Sequence, residues 1–265
     1  MAYAAEKTIQ SVLSRIPVVL IDEYHVEVLV IGDASADRTF ERADEVRNAD
    51  ALPFALHVLT NPVNQGYGGN QKLGYHFAVQ KDFDFVALLH GDGQYAPERL
   101  PDLVQPLRDG EADAVFGSRM LTCGAALKGG MPLYKFVGNK ILSWLENRML
   151  RTSLSEFHFG YRVYSVEALK RISWQLNTDQ FHFDTEIIIQ FVLAQLRIKE
   201  LAIPTYYGDE ISRVHGLKYA WDMATAVLTA RRLQEVSLLY DPRFDCVPDG
   251  LPNDLYRIES GYLSP

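Results

Sequence analysis

The sequence has few cysteines, a deficit of positive charge and no long apolar run. Its 265 residues include two cysteines, Cys123 and Cys246, which lie far apart in the chain. This spacing argues against a disulfide scaffold and a cysteine-based zinc site, and it fits a reducing compartment such as the cytoplasm. The 26 Lys and Arg against 34 Asp and Glu give a net charge of −8. Nucleic-acid-binding proteins usually show the opposite balance, so we expect no nucleic-acid partner.

A membrane-spanning segment is not predicted either. The best apolar run, 187–196, is interrupted by Gln190 and Gln195 and falls short of the roughly 18–20 residues that cross a bilayer. The first residues form an amphipathic pattern with Glu6 and Lys7 rather than a signal peptide. The sequence therefore predicts a cytoplasmic protein whose membrane contact, if it has any, is peripheral at the inner face.

Several common catalytic motifs are missing. None of the seven histidines forms H-x-x-x-H or H-E-x-x-H, and no G-x-S-x-G elbow is present, which argues against a His-based zinc site and the commonest α/β hydrolase. Residues 66–69 read Gly-Tyr-Gly-Gly, which matches neither the dinucleotide fingerprint nor the P-loop. Two interpretations stay open: a helix N-terminus that faces an anion, and a tight turn that needs a positive φ.

The first 120 residues alternate strands and helices. Strands are predicted at 26–31, 54–60, 84–90 and 112–116, and helices at 9–16, 38–48, 70–80 and 97–108. This pattern predicts an α/β fold with a mostly parallel central sheet and helices on both faces. Further helices are predicted at 133–150, 183–196 and 216–239, and a strand at 198–203. We expect one domain over 1–240, with halves 1–120 and 121–240, and a loosely structured tail at 241–265.

Polar residues follow the predicted strands. Asp33, Asn64, Asp92 and Ser118 lie on strand-end loops, so one crevice at the carboxyl edge of the sheet is expected to collect them. Asp92 lies between two glycines, which suits a divalent cation that bridges a diphosphate. A turn aspartate is the alternative at Asp92, and a turn-capping aspartate is the alternative at Asp33.

Motifs in a fixed order carry a more specific signal. They are Tyr3 with Glu6, the segment 30–39 (VIGDASADRT), residues 64–74, residues 90–95 (HGDGQY), 117–119 (GSR), 156–162 (EFHFGYR), 183–186 (FDTE) and 201–204 (LAIP). Together they resemble family 2 glycosyltransferases of the GT-A fold, in the branch of dolichol-phosphate mannose synthases and polyprenyl-phosphate glycosyltransferases. The resemblance covers about residues 2 to 240.

This resemblance implies a metal-dependent, inverting glycosyltransferase with a nucleotide-binding half and an acceptor half. It implies that Asp33 recognises the nucleobase and that Mg²⁺ or Mn²⁺ is held by Asp92 with Gln94 and His90. The donor is a nucleotide-diphosphate sugar, whose implied contacts are Tyr3, Glu6, Asp33, Gly69, Lys72, Asp92, Gly117, Ser118, Arg119 and Arg162.

The acceptor stays open between a saccharide and a polyprenyl phosphate. A hydroxyl acceptor needs a carboxylate base, for which Asp184 and Glu156 are the candidates, whereas a lipid phosphate is already anionic and needs none. Two other functions also stay open: a nucleotidyltransferase, which would normally carry a glycine-rich basic loop after its first strand, and a catalytically impaired protein that binds sugar nucleotides.

Three features depart from the family pattern. His90 stands where an Asp is usual, and Gly32 replaces the first Asp of the nucleotide motif. The family also has a core strand ahead of the segment that begins here at Met1, so the sequence predicts a late start, an open sheet edge and homo-oligomers formed through that edge.

A final expectation concerns membrane contact. Within 216–239, apolar Trp221 and Val227 accompany basic Lys218 and Arg231, a pattern typical of an interfacial helix. An ordinary packed helix is the favoured alternative, because Asp222 and Glu235 interrupt the basic face, as the sequence shows.

Overall fold

The computed structural model describes residues 1–49, 52–204, 221 and 223–228. Its strands are β1 Glu27–Gly32, β2 Ala55–Thr60, β3 Phe85–Leu88, β4 Ala114–Ser118, β5 Arg162–Ser165 and β6 Ile198–Ala202. Its helices are α1 Ile9–Ser14, α2 Val19–Glu23, α3 Thr39–Asn48, α4 Gly66–Gln80, α5 Leu100–Arg108, α6 Ala125–Lys128, α7 Leu133–Leu150, α8 Val166–Lys170 and α9 Phe183–Leu193, with 3₁₀ turns at Pro97–Arg99 and Trp174–Leu176. The predicted tail at 241–265 and most of the predicted helix at 216–239 lie outside the described residues.

The strands form two sheets. β1 pairs with β2 in parallel, and the second sheet has the order β3-β5-β4-β6. The predicted α/β architecture is confirmed, and β4 and β6 are parallel. β5, however, runs antiparallel to both β3 and β4. Alternation of strands and helices does not show this direction, because β5 follows the long helix α7 and an irregular segment.

The start of the chain joins the two sheets at their carboxyl edges. Ala2 N donates to Ile31 O at 2.9 Å and forms a parallel bridge with Gly32, while Gly91 N donates to Met1 O at 2.8 Å. Among the described residues, β1 has only β2 as a strand partner and β3 has only β5. Association through these edges stays a prediction, which light scattering on the purified protein would measure.

The glycine-rich segment is the first turn of α4 rather than a separate loop. α4 begins at Gly66, four residues earlier than predicted. A Cβ on Gly68 would lie 2.9 Å from Phe183 Cβ and would collide with the carbonyl oxygen of Thr178. These glycines therefore allow the N-terminus of α4 to pack closely against the segment before α9.

Two apolar cores support the sheets. One packs α1 and α5 against Val30, Val58 and Val115, and the other surrounds α9. α9 is buried over nearly its whole length, and the buried residues include the polar side chains of Asp184, Thr185, Glu186 and Gln190. None of the described helices is both long and apolar enough to span a bilayer. Val227 is buried in the second core, which corrects its predicted place on a membrane-facing surface, whereas Trp221 is exposed.

Candidate active site

A tight loop after β3 presents Asp92 at the carboxyl edge of the sheets. Gly93 has a φ of +81°, a conformation that favours glycine. Gln94 N donates to Asp92 Oδ1 at 3.0 Å, and Thr8 Oγ1 donates to Gly91 O at 2.6 Å. Asp92 is half-buried. The loop thus holds a carboxylate at the edge where a ligand of such a sheet is expected.

The loop after β1 holds the segment around Tyr3. Ser35 Oγ accepts a hydrogen bond from Ala4 N at 2.9 Å, and Asp37 Oδ2 accepts one from Glu6 N at 3.2 Å. Partial burial alone would raise the pKa of Asp37, but hydrogen bonds from Ser35 and Thr39 hold that pKa below its ordinary value. The motif residues therefore fasten one loop to the other, with Tyr3 exposed and Glu6 half-buried at the rim.

A small cavity of about 180 Å³ lies beside this junction. Its lining is Gly32, Ala34, Ser35, Asp37, Phe40, Glu41 and Thr60. It therefore opens at the ends of β1 and β2, next to the N-terminal turn of α3.

Asp33 does not present its carboxylate to this cavity. The side chain is buried and accepts hydrogen bonds from Gln65 N at 2.7 Å, Gly66 N at 3.1 Å and Asn61 Nδ2 at 2.9 Å. It therefore caps the N-terminus of α4, where a negative charge is stabilising. This capping role argues against the predicted nucleobase role of Asp33.

Gly69 and Lys72 also make contacts within the protein. Lys72 is buried in α4, and its Nζ donates to Asn177 O and, at 2.8 Å, to Asp179 Oδ1. A Cβ on Gly69 would lie 2.9 Å from Gln65 Cβ. Neither residue is placed to contact a nucleotide sugar, because both face the segment that precedes α9.

Arg162 is a buried structural arginine rather than a phosphate contact. Its guanidinium donates to the carbonyl oxygens of Phe157 at 2.7 Å, Phe159 at 3.0 Å and Asp184 at 3.1 Å. It also lies over the Phe116 ring, 4.7 Å from its centre. With 1% of the residue exposed, the side chain cannot reach a ligand in the crevice.

Asp184 lies beside this arginine with both carboxylate oxygens engaged. Oδ2 accepts a hydrogen bond from Tyr67 Oη at 2.8 Å, and Oδ1 accepts one from Gln71 Nε2 at 3.0 Å. Arg162 NH1 is 3.5 Å from Oδ1. The residue is buried, so Asp184 is a poor candidate for a base that must touch an acceptor hydroxyl.

Glu156 is equally enclosed. Its Oε1 accepts hydrogen bonds from Arg119 Nε and Asn139 Nδ2, both at 2.8 Å. None of the Glu156 side chain is exposed, against 12% of the Arg119 side chain. Of the two arginines predicted to contact the donor, Arg119 and Arg162, Arg119 is thus the one that keeps some access to solvent.

Gly117 and Ser118 fill the interior at the end of β4. A Cβ on Gly117 would lie 2.8 Å from Ile203 Cγ1, so this position needs glycine for packing. Ser118 is buried, and its hydroxyl lies 2.6 Å from Ser155 Oγ. The Ser118 hydroxyl is therefore engaged within the protein, which argues against its direct contact with a nucleotide sugar, and the predicted contact of Gly117 stays a prediction.

The predicted metal ligands differ in how accessible they are to a metal ion. His90 Nε2 is buried without a hydrogen-bond partner, and it would lie 3.0 Å from a Cβ built on Gly160. Burial lowers the pKa of His90 to about 3, so the ring is neutral. The described part of the chain contains no group of three or more His, Cys, Asp or Glu that could hold a metal. Asp92 still fits a Mg²⁺ or Mn²⁺ ion, because Mg²⁺ usually needs only one or two carboxylates when substrate phosphates supply other ligands.

Sequence reasoning missed one buried pair behind this site, Glu146 of α7 and His158. His158 Nε2 is 3.3 Å from Glu146 Oε2, and Thr185 Oγ1 donates to Glu146 Oε1 at 3.2 Å. Burial raises the pKa of Glu146 well above its ordinary value and lowers that of His158 to about 3. A polar residue on the inner face of α7 was the available signal, but the sequence does not show which face is inside.

Glu146→Gln is expected to make the protein more stable than wild type at high pH. A carboxyl group whose pKa is raised by folding lowers the stability of the folded protein as pH rises above the unfolded pKa of 4.5. Glutamine cannot ionise, so the free energy of unfolding of the variant should increasingly exceed that of wild type between about pH 5 and 8, and the two should be equal at about pH 4. Urea unfolding across this range measures the difference, and parallel curves for the two proteins would contradict it.

The comparisons with known proteins identify the family. Residues 4–173 match glycosyl transferase family 2. The chain is 29% identical over 182 residues to an undecaprenyl-phosphate mannosyltransferase of Micrococcus luteus, covering 67% of this chain and 70% of that protein. It is 26% identical over 217 residues to a UDP-N-acetylglucosamine–dolichyl-phosphate N-acetylglucosaminyltransferase of Methanococcus voltae, covering 78% and 84%.

A solved structure supports the fold. Glucosyl-3-phosphoglycerate synthase from Mycobacterium tuberculosis, in complex with UDP, superposes with a TM-score of 0.63 at 18% identity, covering 86% of this chain and 77% of that one. The α/β fold is therefore of the GT-A type. The chain belongs to glycosyl transferase family 2, which makes it a glycosyltransferase and sets aside the nucleotidyltransferase alternative.

Proposed function

We propose that the protein transfers a sugar, with inversion, from a nucleotide-diphosphate sugar to a lipid phosphate, with a divalent cation at Asp92. The burial of both candidate bases carries the acceptor part of the proposal. The two relatives described above support it, since their names refer to undecaprenyl phosphate and dolichyl phosphate. Peripheral contact with a membrane follows from such an acceptor.

Asp92 would hold Mg²⁺ or Mn²⁺ together with the diphosphate of the donor. The bound cation would offset the negative charge that develops on the departing diphosphate. Asp92 is suited to this role because it is half-buried at the crevice, where a hydrogen bond from Gln94 N to its Oδ1 holds the side chain in place. Gln94 stays a proposed neighbour of the ion, whereas the buried Nε2 of His90 argues against coordination through that atom.

The donor nucleotide would lie between the Asp92 loop and the cavity at the ends of β1 and β2. The cavity combines the exposed ring of Phe40 with backbone at Gly32 and Ala34, which suits a flat, polar-edged nucleobase. Besides Asp92 and Arg119, Tyr3 and Glu6 at the rim are the predicted contacts that the fold leaves accessible. This placement uses Asp33 only to hold α4.

A phosphate acceptor explains why no base is needed at this site. A hydroxyl must lose its proton during attack, and a base has to lie within hydrogen-bond reach of it. Asp184 and Glu156 are buried and already paired. A phosphate oxygen is anionic and attacks without such help, and the partly exposed Arg119 guanidinium would attract it.

Glu156→Gln tests the acceptor class. If the acceptor is a lipid phosphate, kcat should fall by less than about tenfold, because no proton is taken up by this side chain, whereas loss of a general base costs about 10²–10⁴-fold. The assay follows radiolabelled sugar into organic solvent with a polyprenyl phosphate and into water with soluble saccharides. A loss in the larger range, or transfer only to saccharides, would contradict the proposal.

A further inference from the structure

Helix α7 buries mostly polar side chains and exposes apolar ones. Three of its four buried residues are polar: Asn139, Ser143 and Glu146 are 7%, 3% and 1% exposed, and the fourth is Leu150 at the end of the helix. The residues that face outward include Tyr134 and Trp144, which are 73% and 64% exposed. A surface helix of a globular protein normally shows the reverse arrangement, with its apolar stripe toward the core. The exposed surface of α7 is therefore unusually apolar for a surface in contact with water.

The exposed residues form one continuous stripe. They are Leu133, Tyr134, Val137, Ile141, Trp144 and Leu145, which we call the α7 apolar face. Their spacing of three, four and seven residues keeps most of them on one side of the helix. Contiguous apolar surface of this kind marks an interaction site more often than scattered exposed residues do.

The polar inner residues fix α7 in this orientation. Asn139 Nδ2 donates to Glu156 Oε1 at 2.8 Å, and Ser143 Oγ donates to Asn139 Oδ1 at 3.3 Å. Glu146 accepts a hydrogen bond from Thr185 Oγ1. Turning the helix over would bury the apolar face and break these bonds, leaving buried polar groups unpaired.

The charges on α7 indicate what covers the apolar face. Lys140 and Arg148 are exposed on the same helix and Lys135 is half-buried, while its one acidic residue, Glu146, is buried. This local excess of positive charge occurs in a chain with a net charge of −8. Anionic lipid headgroups complement such a pattern, with Trp144 and Tyr134 suited to the interface. A second copy of the chain would instead bring equivalent lysines together around a two-fold axis.

We propose that the α7 apolar face docks on the surface of a membrane that contains anionic lipids, with the helix lying in the plane of the interface. Apolar side chains would enter the headgroup region, and the exposed Lys140 and Arg148 would contact lipid phosphates. The membrane-binding surface is thus α7 and not the helix predicted at 216–239.

Docking through α7 would also bring the site close to lipid. Asn139, on the inner side of the helix, binds Glu156, which pairs with Arg119. A helix is about 10–12 Å across, and Arg119 is joined to its inner side through two hydrogen bonds of 2.8 Å to Glu156, so Arg119 would lie a little more than one helix diameter from the headgroups. This link to a lipid phosphate acceptor rests on the proposed function, whereas the docking itself does not.

Vesicle co-sedimentation of the full chain tests the docking. With vesicles of phosphatidylcholine and phosphatidylglycerol in equal parts, wild type should bind at low salt and less at high salt. Ile141→Asp and Trp144→Asp should each weaken binding about tenfold or more. Val19→Asp is the matched control, because Val19 is 52% exposed on α2, and it should bind like wild type. Lys140→Glu should weaken binding about fivefold or more, and Lys7→Glu should not.

A fluorescence measurement locates the contact on α7. Trp174 is buried, so in a Trp221→Phe variant Trp144 is the exposed tryptophan, and brominated lipids should quench it. No binding of wild type, equal binding by Ile141→Asp, or no quenching of Trp144 would overturn the proposal. A dimer in light scattering that Ile141→Asp converts to a monomer, without vesicle binding by wild type, would show that a second copy covers this face. Transfer to a short polyprenyl phosphate in detergent separates failure of docking from failure of the proposed function.

Discussion

Asp92→Asn is expected to abolish metal-dependent sugar transfer and leave the fold intact. The substitution removes the negative charge of the one carboxylate that the Asp92 loop presents at the crevice, while the hydrogen bond from Gln94 N to the side-chain oxygen can still form. Loss of such charge stabilisation should lower kcat by about 10²–10³-fold or more. Transfer assays with Mn²⁺ measure the loss, and thermal unfolding measures the fold.

The control for this variant is Asp109→Asn. Asp109 is an exposed aspartate at the end of α5, so the same chemical change there should alter neither transfer nor stability. Donor binding adds a second readout: Mn²⁺ should strengthen binding of a nucleoside diphosphate by wild type and not by Asp92→Asn. If Asp92→Asn kept most of its Mn²⁺-dependent activity, another group would have to hold the ion.

Arg162→Ala is expected to have the largest effect on stability. Its guanidinium donates to three backbone carbonyl oxygens and lies beside the Asp184 carboxylate, all of them buried. Removing one partner of a buried ion pair costs about 3–5 kcal/mol, because the other charge is left uncompensated. Arg162→Lys should recover only part of this loss, since one ammonium cannot reproduce the planar fork. Urea unfolding gives the free energy of unfolding directly.

A second arginine provides the contrast. Arg197 forms an ion pair with Asp113 and is about half exposed, so Arg197→Ala should cost about 1 kcal/mol or less. In the folded fraction of Arg162→Lys, the KM for the donor should stay near the wild-type value. If a variant at Arg162 kept normal stability but lost donor binding, the result would support the direct contact between Arg162 and the donor that the sequence predicted.

The sequence was a good guide to where elements begin and end, and a poorer guide to what each motif residue contacts. Asp33 and Asp92 both follow a strand as predicted, yet Asp33 caps α4 and only Asp92 remains half-exposed. Arg162 shows the cause. As the first residue of β5 it pairs with Leu88 on one side and Phe116 on the other, and the sequence does not reveal that β5 has a strand on each side.

Helix α7 shows the same limit in another form. Its 3.6-residue pattern predicted the helix over 133–150, and the structure has it at Leu133–Leu150. Periodicity separates two faces without showing which one is inside, and by default the apolar face is assigned to the core. Here the polar side is inside because Asn139 and Glu146 bind Glu156 and Thr185, which are distant in the sequence.

The most direct test of a lipid phosphate acceptor and a cation at Asp92 is transfer of radiolabelled sugar from a nucleotide-diphosphate sugar to a polyprenyl phosphate by the purified protein, with Mn²⁺ and with chelator. A panel of nucleotide sugars, chosen by the thermal shift each produces with Mn²⁺, supplies the donor. We expect label in the organic phase with Mn²⁺, none with chelator and none with Asp92→Asn. Equal transfer in chelator, or label that passes only to soluble saccharides, would contradict this expectation.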